Sequence, residues 1–340
     1  MRILVTGGAG FIGSHTLLAL IKQGHEVACV DNFSNAEPFI PQRVMELAQS
    51  SFPVFETDVS TWGALDAVVQ QWGHVDGIIH FAALKAVGES VAQPLQYYHN
   101  NLVSLLEVQR AMQKHQIPHL VFSSSCTVYG TPKQLPVNEK APLQDAESPY
   151  GWTKRMGEQM LKDAVAANKG LKVCLLRYFN PIGAQPGGRI GELAKGVPNN
   201  LVPFITQTAI GLRQELKVFG NDYSTPDGTC IRDYIHVCDL ADAHVAALEY
   251  LNQNSETMSI FNVGTGKGMS VLEAIHAFER ATGMELPYRF APRRSGDVEK
   301  IWADPTKIMS TLGWKPKRSM EDAMRDAWRW EQTLAEERKS

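Results

Sequence analysis

With 340 residues, 44% hydrophobic and 20% charged, the chain can bury a large core and has room for two domains. Its 33 basic and 36 acidic side chains nearly cancel, which argues against nucleic acid or an anionic membrane as a partner. No apolar run approaches the ~18 residues needed to cross a bilayer, and Met1-Arg2-Ile3-Leu4-Val5 enters a strand pattern with no leader. The five cysteines (Cys29, Cys126, Cys174, Cys230, Cys238) are odd in number and scattered, with no Cys-x-x-Cys. They read as reduced thiols of a cytoplasmic protein, not as a disulfide frame or a metal site.

In chain order, the apolar run Ile3-Leu4-Val5 ends in Thr6-Gly7-Gly8-Ala9-Gly10-Phe11-Ile12-Gly13. A helical pattern follows to about Gln23, and a second strand from His25 to Val30 ends at Asp31. Strand, glycine turn, helix, strand and acidic residue form the unit that binds a dinucleotide. Gly7 permits the tight turn, Gly10 lets the backbone approach a pyrophosphate, and Gly13 permits close helix packing. Free amides at the helix start favour phosphate. A carboxylate at Asp31 suits the adenine-ribose hydroxyls and repels a 2′-phosphate, so the expected cofactor is NAD.

Strands are expected at Pro53–Glu56, Val75–His80, His119–Phe122 and Leu171–Leu176, alternating with helices, one of them Leu95–His115. This predicts an α/β fold with a Rossmann-type doubly wound parallel sheet. Asp58 either contacts the adenine edge or caps the helix starting near Thr61. Phe81 to Lys85 follow the fourth strand at its carboxyl end, where such sheets bind ligands. Ser123-Ser124-Ser125 end the fifth strand, where hydroxyls either satisfy backbone groups or meet a substrate alcohol. After Phe179-Asn180-Pro181 the alternation loosens. The NAD-binding domain is placed at 1–179, with a segment near 233–265 returning to it, and a smaller mixed substrate-binding domain at 180–340. In the second region, helices are expected at Leu201–Leu212, Cys238–Leu251, Val271–Thr282 and Met320–Leu334. Short strands are expected at Lys217–Phe219, Arg232–Val237 and Tyr288–Phe290.

The segment from Ser148 to about Asn168 is helical in period, and Tyr150 and Lys154 share one face of it. A free phenol titrates near ~10. A nearby ammonium is expected to favour the phenolate and turn Tyr150 into a base towards an alcohol. Tyr-x-x-x-Lys alone describes many surface helices; following a dinucleotide half, it points to hydride transfer at a secondary alcohol. Arg232 and Arg294 are either surface residues or forks for a phosphorylated substrate.

The glycine motif, the Tyr/Lys pair and the length resemble the extended short-chain dehydrogenase/reductase superfamily. The segments TGGAGFIGSH, HFAALKAVGESV, SSSCTVYG, SPYGWTK, LRYFNPIGA, VPNNL, FGNDYSTPDGTCIRDYIHVCDLADAH and FAPRRSGDV are similar to the UDP-glucose 4-epimerase family. The resemblance implies a homodimer that holds NAD tightly and inverts carbon 4 of a UDP-sugar through a 4-keto sugar. By position it makes Tyr150 the base and acid, Lys154 its tuning partner and a ligand of the nicotinamide ribose, and Ser125 a second ligand of the hydroxyl, all three also beside NAD. It places Phe11, Ile12, Asp31, Asn32, Phe33, Ser34, Asn35, Ala36, Asp58, Val59, Phe81, Ala82, Ala83, Leu84, Lys85, Asn100 and Phe179 around NAD. It places Asn180, Asn200, Lys217, Val218, Phe219, Arg232, Arg294, Ser295, Gly296 and Asp297 around UDP. Two positions depart from the pattern. Ala83 stands where the family usually has glycine. Ile301 stands where the bacterial form usually has tyrosine at the sugar rim, which implies slow acceptance of N-acetylated sugars.

Two rival readings remain. A sugar-nucleotide 4,6-dehydratase on this scaffold needs an Asp-Glu pair, where this chain reads Ser125-Cys126-Thr127, without an acid. An NAD-sensing regulator needs no Tyr/Lys pair.

Overall fold

The computed structural model describes every residue except Ala194, Ser295, Gly296 and Ser340. The chain opens with β1 (Arg2–Thr6), α1 (Phe11–Lys22), β2 (Glu26–Asp31), α2 (Phe39–Ala48), β3 (Val54–Glu56), α3 (Ala64–Trp72) and β4 (Gly77–His80). It continues with α4 (Val87–Ala92), α5 (Pro94–His115), β5 (His119–Ser125), α6 (Pro149–Ala167) and β6 (Lys172–Tyr178). Next come β7 (Asn180–Ile182), α7 (Leu201–Ala209), β8 (Leu216–Phe219), β9 (Ile231–Arg232), β10 (Tyr234–His236), α8 (Val237–Gln253) and β11 (Met258–Val263). The chain closes with β12 (Met269–Ser270), α9 (Val271–Thr282), β13 (Tyr288–Ala291), β14 (Lys300–Ile301), α10 (Thr306–Leu312) and α11 (Met320–Glu337).

Seven strands form one parallel sheet in the order β11-β6-β5-β4-β1-β2-β3. The central strands β4 and β5 are buried along their whole length, while the edge strand β3 is short and mostly exposed. Side-chain alternation divides the core between the two faces. Ile3 and Val5 join Leu17, Val44 and Leu248, so α1, α2 and α8 cover one face. Leu4 joins Leu65, Leu105 and Leu161, so α3, α5 and α6 cover the other. A third core lies around α7, α9 and α11, with Ile205, Phe278 and Met324 at its centre. Both α9 and α11 start on capping boxes, Ser270 with Glu273 and Ser319 with Asp322.

One expected strand divides. In place of a single run from Arg232 to Val237, β9 pairs with β12 and β14, and β10 pairs with β7. Asp233 sits between them, fully buried, and accepts from Thr265, Gly266 and Ala303, which turns the chain from one small sheet to the other. The strand that enters the large sheet from this half is β11, beside β6. Its apolar run is short, and only pairing with β6 identifies it as a strand. All five cysteines are free, and among the described residues no helix is long and apolar enough to cross a membrane.

Candidate active site

The sheet order reverses between β1 and β4, so their carboxyl ends diverge into a crevice. Thr6 and His80 end the two strands side by side, joined by a hydrogen bond of 2.7 Å between Thr6 Oγ1 and His80 Nδ1. The glycine turn leaves β1 here. Gly7 has φ +68°, and a Cβ on it would meet the Ala82 amide nitrogen at 2.7 Å. A Cβ on Gly13 would lie 2.2 Å from the Gly7 carbonyl oxygen, so α1 can approach the strand this closely only with glycine there. Gly10 is the N-cap of α1 and brings no capping side chain, so Phe11 and Ile12 begin the helix with their amide end open to the crevice.

Asp31, at the end of β2, is 8% exposed and accepts from the Ala9 amide (3.0 Å) and the Phe33 amide (2.9 Å). Burial lifts its carboxyl above the usual range, and the Phe33 and Ala9 bonds oppose that. Asn32 accepts from Ser34 and donates to Asp58 (3.1 Å), while Asp58 also accepts from Ser60 (2.8 Å from the amide). Helix α3 starts later, at Ala64 after Gly63, so Asp58 ties two loops together and does not cap the helix. Asn35 and Ala36 complete this loop. A glycine cradle with no room for side chains, an uncapped helix end and a carboxylate opposite fit a dinucleotide. Val59 is buried in the sheet core, so only its backbone faces the loop.

Phe81, Ala82, Ala83, Leu84 and Lys85 follow β4. Their anchor is Asn101, whose side chain accepts from the Leu84 amide (2.8 Å) and donates to the Leu84 carbonyl (2.9 Å) and Thr153 Oγ1 (3.0 Å). The expected Asn100 donates to Asn101. Asn101 is thus a positioning residue that sequence reasoning missed; the Asn100-Asn101 pair on one long helix was the signal available.

Strand alternation sorts the three serines at the end of β5. Ser124 points to one face and donates to Glu158 (2.6 Å). Glu158 is paired on both oxygens with Arg177 (2.8 and 2.6 Å), and Arg177 donates to the Tyr129 hydroxyl (3.0 Å), all of it buried. Ser123 and Ser125 point to the other face. Ser123 Oγ shares a short hydrogen bond with the Tyr178 hydroxyl, and its carbonyl accepts from Lys154 Nζ at 2.7 Å. Ser125 lies against the Tyr150 hydroxyl. Tyr178, the last residue of β6 and paired in register with Ser125, is a second phenol in this wall that the sequence did not single out.

Ser148 caps α6 by accepting from the Gly151 amide (3.2 Å), with Pro149 opening the helix; the cap orients its first turn and with it Tyr150. Tyr150 and Lys154 are both buried, and Lys154 Nζ is 5.9 Å from the centre of the Tyr150 ring. The electrostatics reverse the expectation drawn from their spacing. Burial raises the Tyr150 phenol above its ordinary value, with Tyr178 adding to the rise and Ser125 opposing it. Burial lowers the Lys154 ammonium to about 7. In the free wall desolvation thus disfavours the charged form of both groups.

The other side of the crevice comes from the second half of the chain. Asn180 lies in β7, and Asn200 is the N-cap of α7. Lys217 and Phe219 stand on the exposed face of β8, whereas Val218 is buried in the third core. Asp297 accepts from Arg294 (2.8 Å), and Arg232 Nη2 lies 3.9 Å from it, so one carboxylate gathers two guanidinium groups. Ser295 and Gly296 lie outside the described residues. Ile301 pairs with Arg232 and is 4% exposed, packed with Val128, Phe179 and Ala303. Among the described residues no cluster of side chains could hold a metal ion.

A family model described as GDP-mannose 4,6 dehydratase matches residues 4–327. The chain is 51% identical over 331 residues to the UDP-glucose 4-epimerase of Bacillus subtilis (strain 168), covering 97% of each chain. It is 46% identical over 331 residues to that of Yersinia pestis, again covering 97% of each. The solved UDP-glucose 4-epimerase from Bifidobacterium longum, in complex with NAD+ and UDP, matches with a TM-score of 0.95. The two are 44% identical, with 98% of this chain and 99% of that one covered. The UDP-Glc/GlcNAc 4-epimerase from Campylobacter jejuni matches with a TM-score of 0.83 at 38% identity, covering 98% of this chain and 99% of that one.

Proposed function

The chain belongs to the UDP-glucose 4-epimerase family, and we infer that it interconverts UDP-glucose and UDP-galactose with Tyr150 as the proton carrier. The observation that carries this reading is the juxtaposition of Tyr150, Ser125 and Lys154 at the crevice into which the glycine turn also opens. NAD, when bound, supplies the hydride acceptor and a ring cation. The protein's part is proton handling and orientation. In the loaded site that cation, together with a protonated Lys154, would favour the Tyr150 phenolate over the neutral phenol of the free wall; the phenolate then takes the proton of the 4-hydroxyl as the carbon is oxidised to a 4-keto sugar, and Ser125 orients that hydroxyl. It is the ammonium form of Lys154 that steadies the charge on the phenolate. A single base serves both faces of the sugar if UDP stays anchored while the keto sugar turns over, and the proton and hydride return from the same wall. Arg232, Arg294, Asn180, Asn200 and the Lys217–Phe219 strand are the proposed anchor for UDP.

The dehydratase reading, which the name of the family model brings forward, lacks its acid pair. Cys126 is a half-buried thiol with its ionisation pushed up to about 12 by desolvation, and its neighbour is Thr127. Incubation with UDP-galactose tests both readings: UDP-glucose is the expected product, and a 4-keto-6-deoxy sugar would overturn the assignment. The purified protein should release NAD on denaturation; NADP instead would overturn the reading of Asp31.

The proposed domain roles are residues 1–179 with the 233–265 segment for NAD, and the rest of 180–340 for the UDP-sugar. The enzyme is proposed to be a cytoplasmic homodimer. Leu95 and Leu106, eleven residues apart and hence on one stripe of α5, are exposed, as is Met156 on the adjacent α6. Leu106→Glu should shift the protein to monomer in sedimentation. For Ile301 the proposed role is a modest one. UDP-N-acetylglucosamine should be turned over slowly, and Ile301→Tyr should lower that activity more than the glucose activity. An unchanged ratio of kcat/KM values would remove Ile301 from specificity.

A further inference from the structure

Helix α7 begins without a cap of the usual kind. Asn200 occupies its N-cap, a place where an asparagine normally accepts from the first turn, yet its side chain does not. Its amide instead donates to Glu192 Oε1 at 2.5 Å. The same oxygen accepts from Lys85 Nζ at 3.1 Å. One carboxylate oxygen therefore joins the loop that follows β4 to the start of α7.

Glu192 itself is held firmly. Its carbonyl accepts from Trp330 Nε1 of α11 at 3.0 Å. A Cβ on Gly191 would meet the Trp330 ring at 2.4 Å, so the backbone lies flat against the indole. The glutamate side chain is 14% exposed against 45% for Lys85. Nearby, Lys195 donates to the Phe33 carbonyl at 2.8 Å, and Arg189 pairs with Glu46 at 2.7 Å. The stretch around Glu192 thus touches the loops after β2 and β4 and also the start of α7. The carboxylate is the fixed element, and its two donors are the exchangeable ones.

We propose that Glu192 is a positioning residue that couples the dinucleotide site to the diphosphate site through Lys85 and Asn200. This rests on the reading of those two sites given above. Two donors share one oxygen, so each bond is weaker than it would be alone. A diphosphate at the start of α7 draws the Asn200 amide away, because phosphate oxygens are strong acceptors at a helix N-terminus. Glu192 then holds Lys85 alone, the loop after β4 tightens, and the dinucleotide leaves more slowly. By reciprocity the bound dinucleotide strengthens diphosphate binding by the same factor.

The test is the release of NADH, followed by its fluorescence as excess NAD displaces it from the loaded protein, with and without saturating UDP. In the wild type UDP should slow release roughly fivefold or more, within the usual range of such couplings. In Glu192→Leu and in Lys85→Met the ratio should fall to within about twofold of one, and the double variant should add nothing. A purely structural glutamate would speed release equally with and without UDP and leave the ratio intact, which would overturn the proposal. So would a wild type that binds UDP by calorimetry yet releases NADH at the same rate. A wild type that carries no nicotinamide nucleotide and binds no UDP would remove the functional reading itself, and the coupling with it.

Discussion

The two walls of the crevice are built on different physical terms. On the sheet side Ser123, Ser124, Tyr150, Lys154, Glu158 and Arg177 are buried, and the bonded groups among them have protein partners fixed by strand alternation and helix period. On the other side Arg232, Arg294, Phe219 and Asn200 stand on short strands and loops, with partners such as Asp297 and Glu192 that a ligand can replace. In the proposed mechanism, chemistry that needs sub-ångström placement falls on the rigid wall. The proposed recognition of UDP, which must admit and release a ligand, falls on the adaptable one. The same division explains the reversed electrostatics: a wall dry enough to hold geometry is dry enough to push Tyr150 and Lys154 towards their neutral forms.

The comparison can be broken most directly at Tyr150. Tyr150→Phe should lower kcat by ~10²–10⁴ while thermal unfolding and bound nucleotide stay unchanged. Turnover within about tenfold of wild type would take proton transfer away from the rigid wall. Next in size is Glu158→Gln, which leaves Arg177 buried without its ion pair and should cost about 3–5 kcal/mol in urea unfolding. Glu158→Leu combined with Arg177→Met should recover much of that loss, since such pairs fix geometry more than they add stability. If the single variant is as stable as wild type, the wall is not held by this network.

On the adaptable wall, Arg232→Met should raise KM for the UDP-sugar about 10–100-fold, the usual worth of a charged hydrogen bond, with kcat little changed. A fall in kcat with constant KM would place Arg232 in the chemical step. The smallest effect sharpens the electrostatics. Lys154 has a folded value of about 7 against an ordinary 10.5, so between these the unfolded chain binds the proton more readily. Stability of the nucleotide-free wild type should therefore rise as pH increases from about 7 towards 10, the burial penalty being full below the folded value. Lys154→Met removes that rise, and melting temperatures across this pH range give the comparison. Parallel curves would mean that Lys154 is not desolvated as described.

Much of this was legible in the sequence for a physical reason. The glycine turn, the apolar strand runs and the Tyr/Lys spacing are local patterns, and each dictates its own geometry through φ, period and packing room. That is why Gly7, Gly13, Asp31, Tyr150 and the helix Val271–Thr282 lie where local rules put them. The tertiary structure alone decided what depends on partners distant in the chain. The β9–β10 division follows from Asp233 meeting Thr265 and Ala303, and β11 is a strand because β6 is beside it. Tyr178 and Asn101 become parts of the site only when β6 and α5 come alongside Ser123 and Leu84. The protonation of Tyr150 and Lys154 was likewise out of reach, because spacing reports that two groups are near each other, whereas burial, set by the whole fold, fixes the sign of the shift.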